Sequence, residues 1–530
     1  MLKYFDLILN QKDETMKTIT WIFLYITLAV SPLQAYEDTV DLSDVGQVAL
    51  KNSGAKAAQQ DFLHGLAQLH NFEYEFAALD FIAAQKKDPY FALAYWGEAM
   101  TYNHGIWQRQ NKEKALAALA RYAPDPADRQ AKAPTGLEKD LLAAVDILYG
   151  AGTKEKNDDR YRAKMARLHE KYPDNVDIAA FYALSIMASA HEGRDTALYM
   201  QSAAIMENFI HKFPDHPGVA HYLIHSTDDP THAPLGLRAA LTYAEIAPNA
   251  GHAQHMTSHI FLALGRWDDV ISANIRAHGL SVAARAKLGE MDPACGHYSS
   301  WLMYAYLQVE NRDKARDLME NCVAIVGGKG QNNASTHRYY SWMRTLYLYD
   351  TGEWTGEIAS LPVNSSVNKR ADYTNSYTDA IVALNRGDLP AARLAQKQAQ
   401  KKLEGLNRYW DAQGLGQNKP ARSKPLVEMK QLDALLLWSE GNREASLDKL
   451  RAAAILEESL PFGFGPPNPA KPAFELLGEK LLEAGRITEA QDVLEKAARR
   501  TRGKRLTLIA LNAAKEAVDS PAKGDSKGSE

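Results

Sequence analysis

Lys471 to Arg500 reads KPAFELLGEKLLEAGRITEAQDVLEKAARR. Counted from Lys471, the large residues Phe474, Leu477, Leu481 and Leu494 fall at positions 4, 7, 11 and 24. The small residues Gly478, Ala490 and Ala497 fall at 8, 20 and 27. Spacings of three and four put each apolar set on one face of a helix. Gly485 stands between the two sets as the turn residue. Small side chains at facing positions let two antiparallel helices approach closely, and the large ones fill the gaps between them. The stretch therefore predicts a helical hairpin.

The same spacing recurs at a period of 34 residues. Gly65, Ala77, Phe81, Ala84 and Pro89 occupy positions 8, 20, 24, 27 and 32 of an early repeat, and Tyr95, Ala99 and Tyr102 begin the next. A further repeat opens at Gly251 with Phe261, Gly265 and Ala277, and another at Gly296 with Leu302, Tyr306, Ala315 and Cys322. Looser copies run through Pro173, Pro214, Gly352, Gly387 and Gly441. Pro near position 32 ends a second helix by removing an amide donor and crowding the preceding turn. Residues 58–518 thus resemble the tetratricopeptide-repeat superfamily. The segments NFEYEFAALDFIAAQKKDP, AYWGEAMTYNHGIW, HYLIHS, GHAQHMTSHIFLALGRW and PFGFGPP with KPAFELLGE are similar to long exported bacterial members of unassigned function. The resemblance implies an all-α solenoid that binds a protein, peptide or other ligand in a concave groove. It implies no reaction.

The domain plan follows. Residues 1–35 form a signal-peptide region, with an uncharged run from Thr18 to Ala35 and an apolar heart from Ile19 to Val30. That heart is short for a membrane span, which takes ~20 residues. Met16 is an alternative start, since residues 1–15 carry both signs of charge, and Leu33-Gln34-Ala35 places the mature start at Tyr36. A lead-in covers 36–57, the solenoid 58–505, a capping helix 506–518, and a disordered polar tail 519–530. Loops are expected at 124–136, 327–334 and 463–472, where Gly or Pro accumulates. The expected location is periplasmic or secreted, with no membrane span after signal cleavage.

At 530 residues the chain is too long for one ordinary core, which suits an array. With 61 basic against 65 acidic residues and a net charge of -4, nothing favours nucleic acid as a partner. Gly327 to Gly330 reads GGKG but lacks the P-loop spacing. His191-Glu192 lacks the second His of a metalloprotease helix, and the GxSxG at 524–528 sits in the polar tail. Enzymatic activity is therefore not the leading expectation. Cys295 and Cys322 are the only cysteines, and a disulfide between them is left open against two buried thiols.

Histidine carries the strongest local signal. His221 and His225 are four apart, as are His255 and His259, and the pairs are offset by 34. Counted from Pro217 and Gly251, both pairs fall at positions 5 and 9. In the family that the chain resembles, positions 2, 5, 9, 12 and 13 of the first helix face the groove. His252 and His297 fall at position 2 of their repeats. The resemblance thus implies six histidines on one groove wall. By the same rule His70 and His104 fall at position 13, with Trp96, Met100 and Asn103 beside His104. Trp96 and Trp107 also read as ordinary core aromatics. For the six histidines three readings stand: polar filler, a groove for a ligand, or a site for zinc, copper or nickel. Asp228 and Asp292 are candidate outer partners, and Met256 would favour copper if its sulfur turned inward.

Overall fold

The computed structural model describes residues 42–519, apart from 288, 291–294, 362–364 and 417–418. The signal region, the start at Tyr36, Asp292 and the tail beyond 519 lie outside the described residues. Among those described, 24 α-helices follow one another, and only Asn103–His104 and Arg109–Gln110 form a short antiparallel ladder. No described helix is long and apolar enough to cross a membrane.

The helices pair as antiparallel hairpins. Ala473–Glu483 and Ile487–Arg500 form the hairpin read from the opening stretch. Phe474, Leu477, Leu481, Ala490, Leu494 and Ala497 are all buried. The need for a small residue at position 8 is direct: a Cβ on Gly478 would stand 2.4 Å from Cγ of Leu494. The same pairing joins Gln59–His70 to Tyr74–Lys87, Pro217–Thr227 to Ala233–Ile246, and Gly251–Ala263 to Trp267–Lys287. It also joins His297–Gln308 to Arg312–Gly327. Arg505–Asp519 lies against the last hairpin and covers its apolar face with Ala510, Leu511 and Ala514. The architecture is an all-α solenoid of tetratricopeptide-type hairpins.

Two local expectations are corrected. The loop at 124–136 contains a helix, Pro126–Lys132, because Pro126 sits at its first turn, where a missing amide donor costs nothing. The first helix carrying Trp96 stops at Thr101, so Asn103 and His104 lie in the ladder and not on a helix face. Cys295 and Cys322 are buried and joined as a disulfide, with Cα atoms 4.7 Å apart, inside the span bridges require.

The last third of the chain also contacts its middle repeats. The Lys419 ammonium donates to the His191 carbonyl at 2.6 Å and pairs with Glu155 and Glu192. Trp267 Nε1 donates to the Gly503 carbonyl at 3.0 Å, and Arg505 pairs with Asp350 at 2.6 Å. Between these contacts the 463–472 loop enters the concave side. A Cβ on Gly465, whose φ is +89°, would stand 2.4 Å from the Trp301 ring, so only glycine seats the loop there.

Candidate metal centre

Three successive first helices supply the histidines. Every residue of Pro217–Thr227 is buried, and so is nearly all of Gly251–Ala263 and His297–Gln308. An open groove wall would leave positions 5 and 9 wet. Here His221, His225, His255 and His259 are at most 3% exposed, while His252 and His297 are half-buried. The groove at this point is filled by the chain itself. Phe72 meets His221 edge-on from one side, with ring centres 4.3 Å apart, and Phe464 stacks on His259 at 4.9 Å on the other.

The six histidines meet as two groups of three. In the first, one ring nitrogen from each of His221, His225 and His252 lies within 4.8 Å of the others. His221 donates Nδ1–H to the His70 carbonyl at 2.6 Å, so the nitrogen left to it is Nε2. The Nε2 atoms of His221, His225 and His252 are all buried with no hydrogen-bond partner. Nearly all buried polar atoms are satisfied, so three such atoms in one place need a cause.

The second group is His255, His259 and His297, again within 4.8 Å. Asn274 spends its amide donor on the Val270 carbonyl, so its oxygen accepts Nδ1–H of His255 at 2.7 Å. Asp228 accepts Nδ1–H of His259 at 2.8 Å. Both rings therefore turn Nε2 lone pairs inward, and these two nitrogens stand 3.2 Å apart. Two lone pairs repel at that distance; the space between them takes a proton or a metal cation. Fixing Nδ1–H on a carboxylate, amide or carbonyl while Nε2 points at a common centre is how proteins orient histidine for metal.

Charge follows the same plan. Burial lowers the pKa of His221, His252 and His255 well below the ordinary value, with the neighbouring histidines adding to the effect. Burial likewise takes His297 down to about 3. These rings are neutral near pH 7, the state that binds metal. Asp228 links the groups, 3.6 Å from His225 Nδ1 and 2.8 Å from His259 Nδ1. Burial pushes its carboxyl up, but Arg194 and the two histidines outweigh this and hold it far below the usual range.

A separate cluster lies one turn away along Pro217–Thr227. His70 and His216 both donate Nε2–H to Asp177 Oδ1, at 3.1 and 3.2 Å. Their Nδ1 atoms accept from the Tyr222 hydroxyl at 3.0 Å and the Val219 amide at 3.3 Å. Every nitrogen there has a partner. Of the five residues read as an early groove lining, His70, Trp96 and Met100 are buried in the interior. Asn103 and His104 are half-buried, and His104 stacks on Tyr74 with ring centres 4.0 Å apart. The five do not share one open wall. Met256 packs in the hydrophobic core with Ile260 and Ala253, which removes the lean towards copper.

Sequence reasoning did not single out Phe72, Glu73, Asn274, Trp301 and Phe464. Glu73 accepts the His252 amide at 2.8 Å, and Trp301 stacks on His259 with centres 4.6 Å apart. Phe72 holds a φ of +59°, a strained state for a bulky residue. For Phe72, Glu73 and Phe464 the signal was present, since NFEYEF and PFGFGPP are among the segments that carry the resemblance; Asn274 and Trp301 lie outside those segments.

No family model and no curated protein matches the chain. Yeast Tom70 is similar at 13% identity over 88% of this chain and 96% of that one, with a TM-score of 0.33. The Cut9–Hcn1 hetero-tetramer of APC/C is similar at 13% identity over 91% and 81%, with a TM-score of 0.34. The P58(IPK) TPR domain is similar at 12% identity over 88% and 99%, with a TM-score of 0.21. Such distant likeness says nothing of activity, and the assignment of the fold stands on the hairpins themselves.

Proposed function

We propose that this chain is an exported metal-binding solenoid whose six histidines hold one or two divalent transition-metal ions. The observation that carries this reading is the set of buried, unpartnered Nε2 atoms on His221, His225 and His252. It is supported by the second group, where Nε2 lone pairs face each other and both Nδ1 sides are fixed by acceptors. An all-imidazole donor set suits zinc, copper(II) or nickel. Three ligands per ion would leave an open coordination position, the arrangement of sites that bind water or substrate. Export is supported by the paired cysteines, since disulfides persist in oxidising compartments.

A protein or peptide lying along the array is the other use that stacked hairpins support. It would not engage His221, His225, His255 and His259, which are at most 3% exposed.

The test is elemental analysis of untagged protein, then titration of Zn²⁺ and Cu²⁺ into wild type and a His225→Ala, His259→Ala double variant. One or two ions per chain are expected, with affinity falling in the variant by more than the roughly 10–100-fold that an outer partner is worth. A His216→Ala control should bind as wild type does. Equal binding by wild type and double variant, or no tight binding by either, would overturn the reading.

A further inference from the structure

A cavity of about 1010 Å³ opens beside His297. That is at the upper end of the ~300–1,000 Å³ usual for small-molecule sites. Its lining is of two kinds. Trp301, Trp342, Tyr339, Trp410 and Phe464 give it flat apolar faces. Arg338, Lys424 and Arg370 give it positive charge. Its carboxylates are already engaged: Asp228 by Arg194, Glu428 by Arg370 at 3.4 Å, and Glu457 by the Ala473 amide. Among the described residues neither Arg338 nor Lys424 forms a salt bridge, although Glu428 and Glu457 lie near enough to act on the Lys424 charge. Burial and the nearby Arg370 push the Lys424 pKa down, against the opposing pull of Glu428 and Glu457. The cavity is thus short of negative charge and rich in ring faces. A bound anion would supply what the lining lacks, and aromatic faces favour a flat ring over an alkyl chain.

We infer that this cavity binds a small anionic aromatic molecule, its ring against the tryptophans and its charge answered by Arg338 and Lys424. His297 belongs both to the cavity lining and to the second histidine group, so the ligand would lie at the open side of the proposed centre. The inference rests on the metal reading for what the ligand meets there, but binding itself needs no metal.

Calorimetry on the full chain, both zinc-loaded and stripped with EDTA, tests it with three probes of one shape. These are 1-naphthoate, 1-naphthalenemethanol and 1-naphthylmethylammonium. Naphthoate should bind at least tenfold tighter than either other probe, and Arg338→Gln with Lys424→Gln should abolish that preference. Arg338 is exposed, so Arg338→Gln alone will fold and should weaken naphthoate at least threefold. Failure of naphthoate to bind, equal binding of the three probes, or an unchanged preference in the variants overturns the inference. Metal titration on the same samples keeps the two ideas apart. Zinc without naphthoate binding sinks the cavity reading alone; naphthoate without zinc binding sinks the centre alone.

Discussion

The two histidine clusters meet at one helix, Pro217–Thr227, and reach opposite ends. His70 and His216 meet on Asp177, and each of their four ring nitrogens has a hydrogen-bond partner. A few residues along the same helix, His221 and His225 each carry a buried Nε2 with none. Burial and residue type are alike in both places. The difference is that a carboxylate sits at the centre of the first cluster, whereas in the second the acceptors stand behind the rings. Histidines around an acceptor satisfy one another; histidines backed by acceptors aim lone pairs at a shared point. The first arrangement is a structural joint. The second is the arrangement on which the proposed metal reading rests.

Removing the acceptor from the joint should break it. Asp177→Ala leaves two buried N–H donors without a partner, each worth about 1–3 kcal/mol. Urea unfolding should show a loss of roughly 2–6 kcal/mol, with zinc affinity unchanged in whatever fraction stays folded. A marked fall in zinc affinity would erase the distinction between the clusters.

Acid should strain both clusters in the metal-free protein. The sign follows from the depressed pKa values: below about 6.5 the unfolded chain takes up protons that the buried rings refuse, so stability falls with pH. His70 is lowered to about 4 and His297 to about 3, in each case by burial, so their stabilisation is present above pH 6.5 and is lost progressively towards pH 4. Between pH 7 and pH 5 these two histidines together should lose about 4 kcal/mol, roughly 2 from each. Urea midpoints over that range check it. Bound zinc should make the slope steeper, because protons then also compete for the nitrogens. A flat profile from pH 7 to 5 would mean that the rings protonate freely in the folded state.

The smallest expected effect is also the sharpest test of the second arrangement. Asn274→Leu takes away the acceptor behind His255 while keeping the bulk of the side chain. It should weaken zinc roughly 10–100-fold. Calorimetry reads this directly, and an affinity within twofold of wild type would mean that the orientation of His255 does not depend on Asn274.

Much of this was legible in the chain. The hairpin at 471–500, the starts at Pro217 and Gly251 and the capping helix follow from apolar spacing, since a helix repeats every 3.6 residues whatever surrounds it. The meeting of His221, His225, His255 and His259 follows from the same arithmetic, an i, i+4 pair copied at 34 residues. The openness of the groove did not follow. Nothing periodic says that a loop from 463–472 and the turn at Phe72 will cover a wall built by residues 217–308.

What the sequence determined by itself is therefore local: helix identity, the face each residue takes, and the register of one hairpin on the next. What the tertiary structure decided is the state of each ring nitrogen. His221 is held by the His70 carbonyl 151 residues away, His259 by Asp228 at 31, and His255 by Asn274 at 19. Hydrogen bonds act over about 3 Å of space and are blind to chain separation, so no repeat period reports them. The periodic pattern brought six imidazoles together; only the packed chain fixed which way the rings of His221, His255 and His259 face.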